Sequence, residues 1–536
     1  MLRPGFPSPL ACLLVAAACS SPDPAMDAEA DTADSSRLAG LERGKPAIES
    51  APPRSRRVVM SSADVDAAVM PGFENPMIET SEERISGFSL DANTASYALA
   101  RTALQRGELP DPLDVRTEEF VNRFEYRNPP PQHGDFAMHV EAAPSPYRPD
   151  YHMLRFGIRA RDTSTTEREP AFMVFVVDAS NSMDKNGHLH LIQDGLRTLA
   201  ARLGPHDRLG IVTYGHRAQV VLEPTNGSQR ADILSAIDAM RADGVSNLDA
   251  GLALAAEIVG TASGPSHRRI IVCSDGVPNA SSLVASQLMT RVAEIAKDDV
   301  RVSTVGVGLG NYSDALLEQL SVQGKGLHAY VDRREEVRRV FAENLTGTPQ
   351  VVARYAKVQV EFEPRSVARF RRLGYEQSRT PPDHWGTDDG FEGAIGAGHS
   401  VTALYEVQLH PDVHDGDAPP LLGTVRVRYH DRDDRVRMLE QTFARDVLAG
   451  PESPPSSAIQ LALVAAVFAE KLRNSYWAHH LAWDELVQMW SVLPSSTRRW
   501  VEVGELGELI RLAAERMTTS PPPKRRLVFE RIAVLK

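Results

Sequence analysis

Residues 171–177 read AFMVFVV, an unbroken apolar run of the kind expected from a strand buried on both faces. From there to about residue 347 the pattern alternates. Strands are expected at 208–214, 269–273 and 301–307, with a further strand at 219–222 at the sheet edge. Helical spacing is expected over 189–203, 233–240 and 252–259, and in helices beginning near 314 and 335. Strand and helix in alternation imply a mostly parallel, doubly wound α/β sheet with helices on both faces.

The flanks differ. Before the sheet, 95–106 has a helical pattern with Asn93 and Thr94 as capping residues and Gly107 as terminator. A second short helix is expected at 115–124, and strands at 136–142 and 151–160. After the sheet, 356–362, 400–409 and 423–429 alternate apolar and polar residues, which predicts antiparallel strands. Residues 450–457 read as a linker. Residues 458–472 then form a strongly apolar helix, too short to span a bilayer and so expected in a core. Further helices follow to about 516, then three prolines, the Arg525-Arg526 pair on a solvated face and a short strand-like end. No internal repeat is present.

The N-terminus changes the picture of where this body sits. A single Arg, an apolar run from Leu10 to Ala18 and small residues before Cys19 have the form of a secretory signal ending in a lipobox, although Ala16 stands where that motif usually has Leu. Cys19 is then the lipidated first residue of the mature chain. Residues 20–75 are rich in Asp, Ala, Ser, Pro and Arg and poor in aromatics, and read as a tether. Ser20 and Ser21 after Cys19 favour the outer membrane. An ordinary cleaved signal is the alternative.

Composition adds limits. The chain has 536 residues, enough for several domains, and a formal net charge of -12 with no basic stripe, which argues against nucleic acid as a partner. Three cysteines, Cys12, Cys19 and Cys273, build no disulfide framework.

The chemistry lies at strand ends. The 171–177 run leads into Asp178-Ala179-Ser180-Asn181-Ser182, a D-x-S-x-S loop where an open parallel sheet places its ligands. Oxygen side chains at alternate positions of one tight loop can converge on a hard cation, Mg²⁺ first, with Mn²⁺ or Ca²⁺ as alternatives. Gly244-Val245-Ser246-Asn247 offers the Ser246 hydroxyl, and Cys273-Ser274-Asp275-Gly276 offers Asp275. A lone loop of this kind is usually a turn or a helix cap. Three in order at element boundaries are a specific pattern.

That pattern resembles the von Willebrand factor type A (VWA) fold with its metal-ion-dependent adhesion site. The resemblance carries metal ligation onto Asp178, Ser180, Ser182, Ser246 and Asp275; Ser246 stands where the family usually has Thr, which implies a looser but competent ligand. The flanks resemble a bacterial VWA lipoprotein family, the YfbK family. Phe88 to Tyr97 (FSLDANTASY) and Arg116-Thr117-Glu118-Glu119 match its N-terminal module, and Leu373-Gly374-Tyr375-Glu376 and Ile395 to Glu406 its C-terminal module.

The resulting expectation is a signal peptide over 1–19, a tether over 20–75, an N-terminal VWA-associated module over 76–165, the VWA domain over 166–348, a β-rich module over 349–449 and a helical module over 450–536. The resemblance implies a cell-envelope lipoprotein, held to the membrane by its lipid, whose metal captures an accessible Asp or Glu on a partner protein. A structural scaffold whose metal only holds loops is the alternative. A metal-dependent hydrolase ranks third: no G-x-S-x-G, P-loop or H-E-x-x-H motif is present, and both aspartates are committed to the metal. His188, His190, His479 and His480 lack accompanying Cys or carboxylate at zinc-ligand spacing and read as solvated or capping residues.

Overall fold

The computed structural model describes residues 74–90, 94–162, 170–185, 187–261, 267–276, 282–308, 311–341, 351–376, 385, 394–411, 420–448 and 454–519. Cys12, Cys19, nearly all of the expected tether, Asn93 and the segment with Arg525 and Arg526 lie outside them.

In chain order the strands are β1 (Ile78–Glu79), β2 (Ile85–Ser89), β3 (Phe136–Pro144), β4 (Tyr151–Ala160), β5 (Ala171–Asp178), β6 (Arg208–Tyr214), β7 (Ala218–Asn226), β8 (His267–Ser274), β9 (Val300–Val307) and β10 (Lys325–Val331). They continue as β11 (Val351–Phe362), β12 (Val367–Leu373), β13 (Ala394–Gly396), β14 (Ser400–Leu409), β15 (Leu421–His430) and β16 (Val436–Ala444).

The middle sheet has the order β10-β9-β8-β5-β6-β7, parallel except for the antiparallel edge strand β7. Every residue of β5 is buried. Its side chains alternate between two cores, as the two-residue period of a strand requires. Ala171, Met173, Phe175 and Val177 meet the helices His188–Ala200 and Arg230–Ala239. Phe172, Val174 and Val176 meet the helices Leu248–Thr261, Ser282–Lys297 and Asn311–Gln323. This is the doubly wound, mostly parallel α/β sheet expected from the alternating pattern.

The flanking strands do not form two separate bodies. One antiparallel sheet runs β1-β12-β14-β4-β3, so strands from before and after the VWA domain share it. A second runs β13-β11-β15-β16, and β2 pairs with β11, Phe88 opposite Val358. The two sheets enclose a common core in which Phe156, Phe362, Tyr405 and Phe443 make edge contacts. A further core joins the helices Ala95–Gln105 and Thr117–Val121 to Ser457–Leu472, with Phe120 and Phe468 at 5.8 Å between ring centroids. The Ser457–Leu472 helix is buried along most of its length and is capped by the Ser456 hydroxyl, which accepts from the Ala458 and Ile459 amides. No helix among the described residues is long and apolar enough to cross a membrane.

Several elements depart from the sequence pattern. The Ser282–Lys297 helix and strands β1, β2, β10, β12, β13 and β16 add to those expected. Thr94 precedes the Ala95–Gln105 helix without a side-chain capping bond; its hydroxyl instead accepts from Arg339 at 2.6 Å. Gly107 does end that helix, in the left-handed conformation (φ 79°) that glycine adopts without strain.

Candidate metal centre

β5 and β8 lie side by side, and the chain leaves β5 toward β6 on its other flank. The loops that follow β5 and β8 therefore meet at a switch point of the sheet, where the backbones separate and leave room for a ligand. All five oxygen-bearing residues expected from the sequence come together there.

Asp178 ends β5 and is fully buried. Its Oδ1 accepts from the Ser180 amide at 2.8 Å. Its Oδ2 accepts from the Ser246 hydroxyl at 3.1 Å and lies 2.9 Å from the Ser274 hydroxyl, whose single hydrogen is shared with the Gly276 carbonyl at 2.8 Å. The Ser182 hydroxyl donates to Asp275 Oδ1 at 3.0 Å. A hydroxyl has a single hydrogen, so across the 2.9 Å contact between the Ser180 and Ser182 hydroxyls it is Ser180 that donates. The result is one connected cluster running from Asp178 to Asp275 through Ser180 and Ser182, with Ser246 and Ser274 joined to it at Asp178.

Backbone contacts hold the loops in register. The Ala179 amide donates to the Tyr214 carbonyl at 2.7 Å, the Asp243 amide to the Ala179 carbonyl at 2.5 Å and the Asn181 amide to the Gly244 carbonyl at 3.1 Å. The loop bearing Ser246 is thus tied to the loop bearing Asp178. Gly244 adopts φ 81°, and a Cβ there would lie 2.6 Å from the His216 Cβ.

The electrostatics favour a cation. Burial raises the Asp178 carboxyl above its ordinary range, its hydrogen bonds to Ser180 and Ser274 oppose this, and the neighbouring Asp275 charge raises it further. The Tyr214 hydroxyl is buried beside Asp178 and Ser274, and burial followed by the Asp178 charge pushes it well above its usual value. Two adjacent carboxylates ringed by serine hydroxyls fit a hard divalent ion. The serine hydrogens here satisfy the same oxygens that would ligate it. No group of three or more His, Cys, Asp or Glu among the described residues is arranged to hold a metal.

Asp178 and Ser180 form the buried floor, while Ser182, Ser246 and Asp275 are partly exposed and Val245 is 77% exposed. Ser274 is a member that sequence reasoning missed. Its signal was a hydroxyl at the last position of an apolar strand, next to the aspartate singled out there.

The histidines separate. His190 is exposed, with Nδ1 2.9 Å from Gln193 Oε1; His479 and His480 are exposed and contact the backbone carbonyls of Tyr476 and Tyr147. His188 corrects the expectation of a solvated residue, because its side chain is 14% exposed and turned toward Asp275. Cys273 is a free buried thiol whose pKa burial pushes up.

Comparison with known proteins matches three family models along the chain. They are "von Willebrand factor" over residues 71–155, "von Willebrand factor type A domain" over 173–343 and "Uncharacterized protein YfbK, C-terminal" over 347–515. The chain is 30% identical over 439 residues to YfbK of Escherichia coli (strain K12), covering 77% of this chain and 76% of that protein. It is 23% identical over 318 residues to a protein of Synechocystis, covering 58% of this chain and 73% of the other. Among solved structures it is similar to a von Willebrand factor type A protein from Catenulispora acidiphila, at TM-score 0.39 and 15% identity, covering 74% of this chain and 89% of that one.

Proposed function

The chain belongs to the YfbK family of VWA-domain proteins, and on that premise we propose that it is a binding protein that captures an acidic side chain of a partner through a divalent cation. The observation that carries this reading is the convergence of Asp178, Ser180, Ser182, Ser246 and Asp275 at the carboxyl ends of the central strands, with a buried floor and a partly exposed rim. Asp178, Ser180, Ser182, Ser246 and Asp275 would hold the ion. When bound, it supplies a positive centre able to accept a carboxylate oxygen from the partner, in a chain whose overall charge of -12 would otherwise repel one. Asp178 is fixed from three sides by Ser180, Ser246 and Ser274 and is not free to act as a general base. This supports binding over hydrolysis. In the same proposal Cys19 carries lipid, and the body is displayed in the cell envelope on the segment that follows.

The test is capture of partners from an envelope fraction by the full-length protein and by the Asp178→Ala, Ser180→Ala double variant, each with Mg²⁺ or EDTA. Capture should require both the intact cluster and the metal. Equal capture in EDTA, or by the double variant, overturns the reading. A scaffold role is favoured by one observation, the sharing of two sheets by strands from both sides of the VWA domain. If that role holds, EDTA lowers the melting temperature strongly and leaves every interaction unchanged.

A further inference from the structure

Helix His188–Ala200 starts directly after Gly187, which takes a left-handed φ of 70° and turns the chain into the helix. His188 is therefore held at the first helical position. Its Nδ1 lies 3.5 Å from Asp275 Oδ2 and is buried without a hydrogen-bond partner. The other oxygen of the same carboxylate, Oδ1, accepts from Ser182. Asp275 thus offers one oxygen to the cluster and turns the other toward the imidazole.

The edge of the ring that carries Nδ1, Cε1 and Nε2 faces Gly308, just past β9. A Cβ at Gly308 would fall 2.2 Å from the His188 Cε1, and Gly308 itself has φ 82°. The Gly308 carbonyl in turn accepts from the Tyr330 hydroxyl of β10. The imidazole is thereby wedged between the end of β8 and the end of β9, with β10 bracing the glycine. At 3.5 Å the nitrogen is slightly beyond hydrogen-bond length, so a shift of a few tenths of an ångström in Asp275 makes the bond.

We propose that His188 is a positioning residue of the candidate cation site, holding Asp275 through Nδ1 while Ser182 holds it from the other side. The proposal rests on the cation reading above. Carboxylates that ligate metals are commonly fixed by a second hydrogen bond, and loss of such a partner weakens metal binding about 10–100-fold.

Two substitutions distinguish positioning from space filling. His188→Asn places an amide nitrogen near the position of Nδ1, and His188→Gln places one near that of Nε2. Mn²⁺ affinity of the full-length protein is measured by electron paramagnetic resonance, with Mg²⁺ as competitor, and melting in EDTA reports the fold. Expected are a weakening of about tenfold or more for His188→Gln and of less than about threefold for His188→Asn, at unchanged melting in EDTA. Equal affinity in all three proteins, or equal weakening in both variants, overturns the proposal. The ring nitrogen resonances of the unsubstituted protein give a second readout. Nδ1 of His188 should shift on Mg²⁺ addition, and an unmoved resonance in the Mg²⁺-bound protein counts against it. Absence of any Mn²⁺ or Mg²⁺ binding by the unsubstituted protein overturns the cation reading itself, a result distinct from either failure of His188.

Discussion

Arg101 and Asp332 are 231 positions apart in the chain and 2.5 Å apart in the structure, with the Arg101 side chain fully buried. They join the Ala95–Gln105 helix to the loop after β10, and so join the N-terminal segment to the VWA domain. Glu336 sits behind them, 3.1 Å from Arg123 and within ion-pair distance of Arg101 and Arg339. Burial alone would raise its carboxyl; Arg339, Arg123 and Arg101 outweigh burial and bring it down to about 2. Removing this one anion takes the paired carboxylate from Arg123 and Arg339 in a poorly solvated seam, while Arg101 keeps Asp332. Glu336→Gln should therefore cost about 3–5 kcal/mol of stability, read from urea denaturation at pH 7. A loss below about 1 kcal/mol, the value of an ordinary surface pair, would show that the seam is solvated.

Glu119 titrates in the opposite sense. It is buried, and burial raises it to about 8, with Arg116 opposing and Glu118 adding to the rise. A carboxyl whose folded pKa exceeds its unfolded value of about 4.3 stabilises the fold fully below that value and loses the contribution as pH climbs to the folded pKa. The melting temperature should fall between pH 5 and pH 8, and Glu119→Gln, which can still accept from the Ser96 amide, should flatten that slope. A variant whose melting follows the same pH curve as the unsubstituted protein would contradict this assignment.

Ser274 supplies a hydrogen bond to Asp178 Oδ2 and also closes the turn, accepting from the Gly276 amide at 3.1 Å. Ser274→Ala removes both. Expected is a loss of about tenfold or more in Mg²⁺ affinity by calorimetry, with the fold retained. Unchanged affinity would place Ser274 in the turn alone.

Sequence pattern revealed those parts of the molecule in which the cause is local. β5 is legible because seven consecutive apolar residues suit a strand covered on both faces. The donors are legible because alternate oxygens in a short loop after such a strand can face one point. β10 is not, since KGLHAYV mixes a glycine and a partly polar edge into a short run. Nor is the joint sheet of β4 and β14, whose pairing of Leu154 with Tyr405 spans the whole VWA domain and leaves no mark on local periodicity. Thr94 misled because a threonine before a helix usually caps it, whereas here Arg339 from another element takes its hydroxyl. His188 was visibly close to the loop in sequence, but its approach to Asp275 depends on β8 lying beside β5.

Gly215 tests whether the loops, rather than the ligands alone, define the metal centre. It follows Tyr214, whose carbonyl accepts from the Ala179 amide, and a Cβ at Gly215 would lie 1.9 Å from the Asp243 carbonyl oxygen and 3.1 Å from that of Ala179. Both obstacles are backbone, so neither can rotate aside as a side chain would. Gly215→Ala must push the 243–246 segment away from the Asp178 loop, breaking the Asp243 to Ala179 bond and drawing the Ser246 hydroxyl off Asp178. Every ligand would remain in the sequence, yet Mg²⁺ affinity should fall by about tenfold or more, as when a ligand's support is lost. Ser246→Ala removes one hydroxyl without moving the backbone and should weaken binding less. If Gly215→Ala binds Mg²⁺ as the unsubstituted protein does, the loop spacing is adjustable and the centre depends only on its donor atoms.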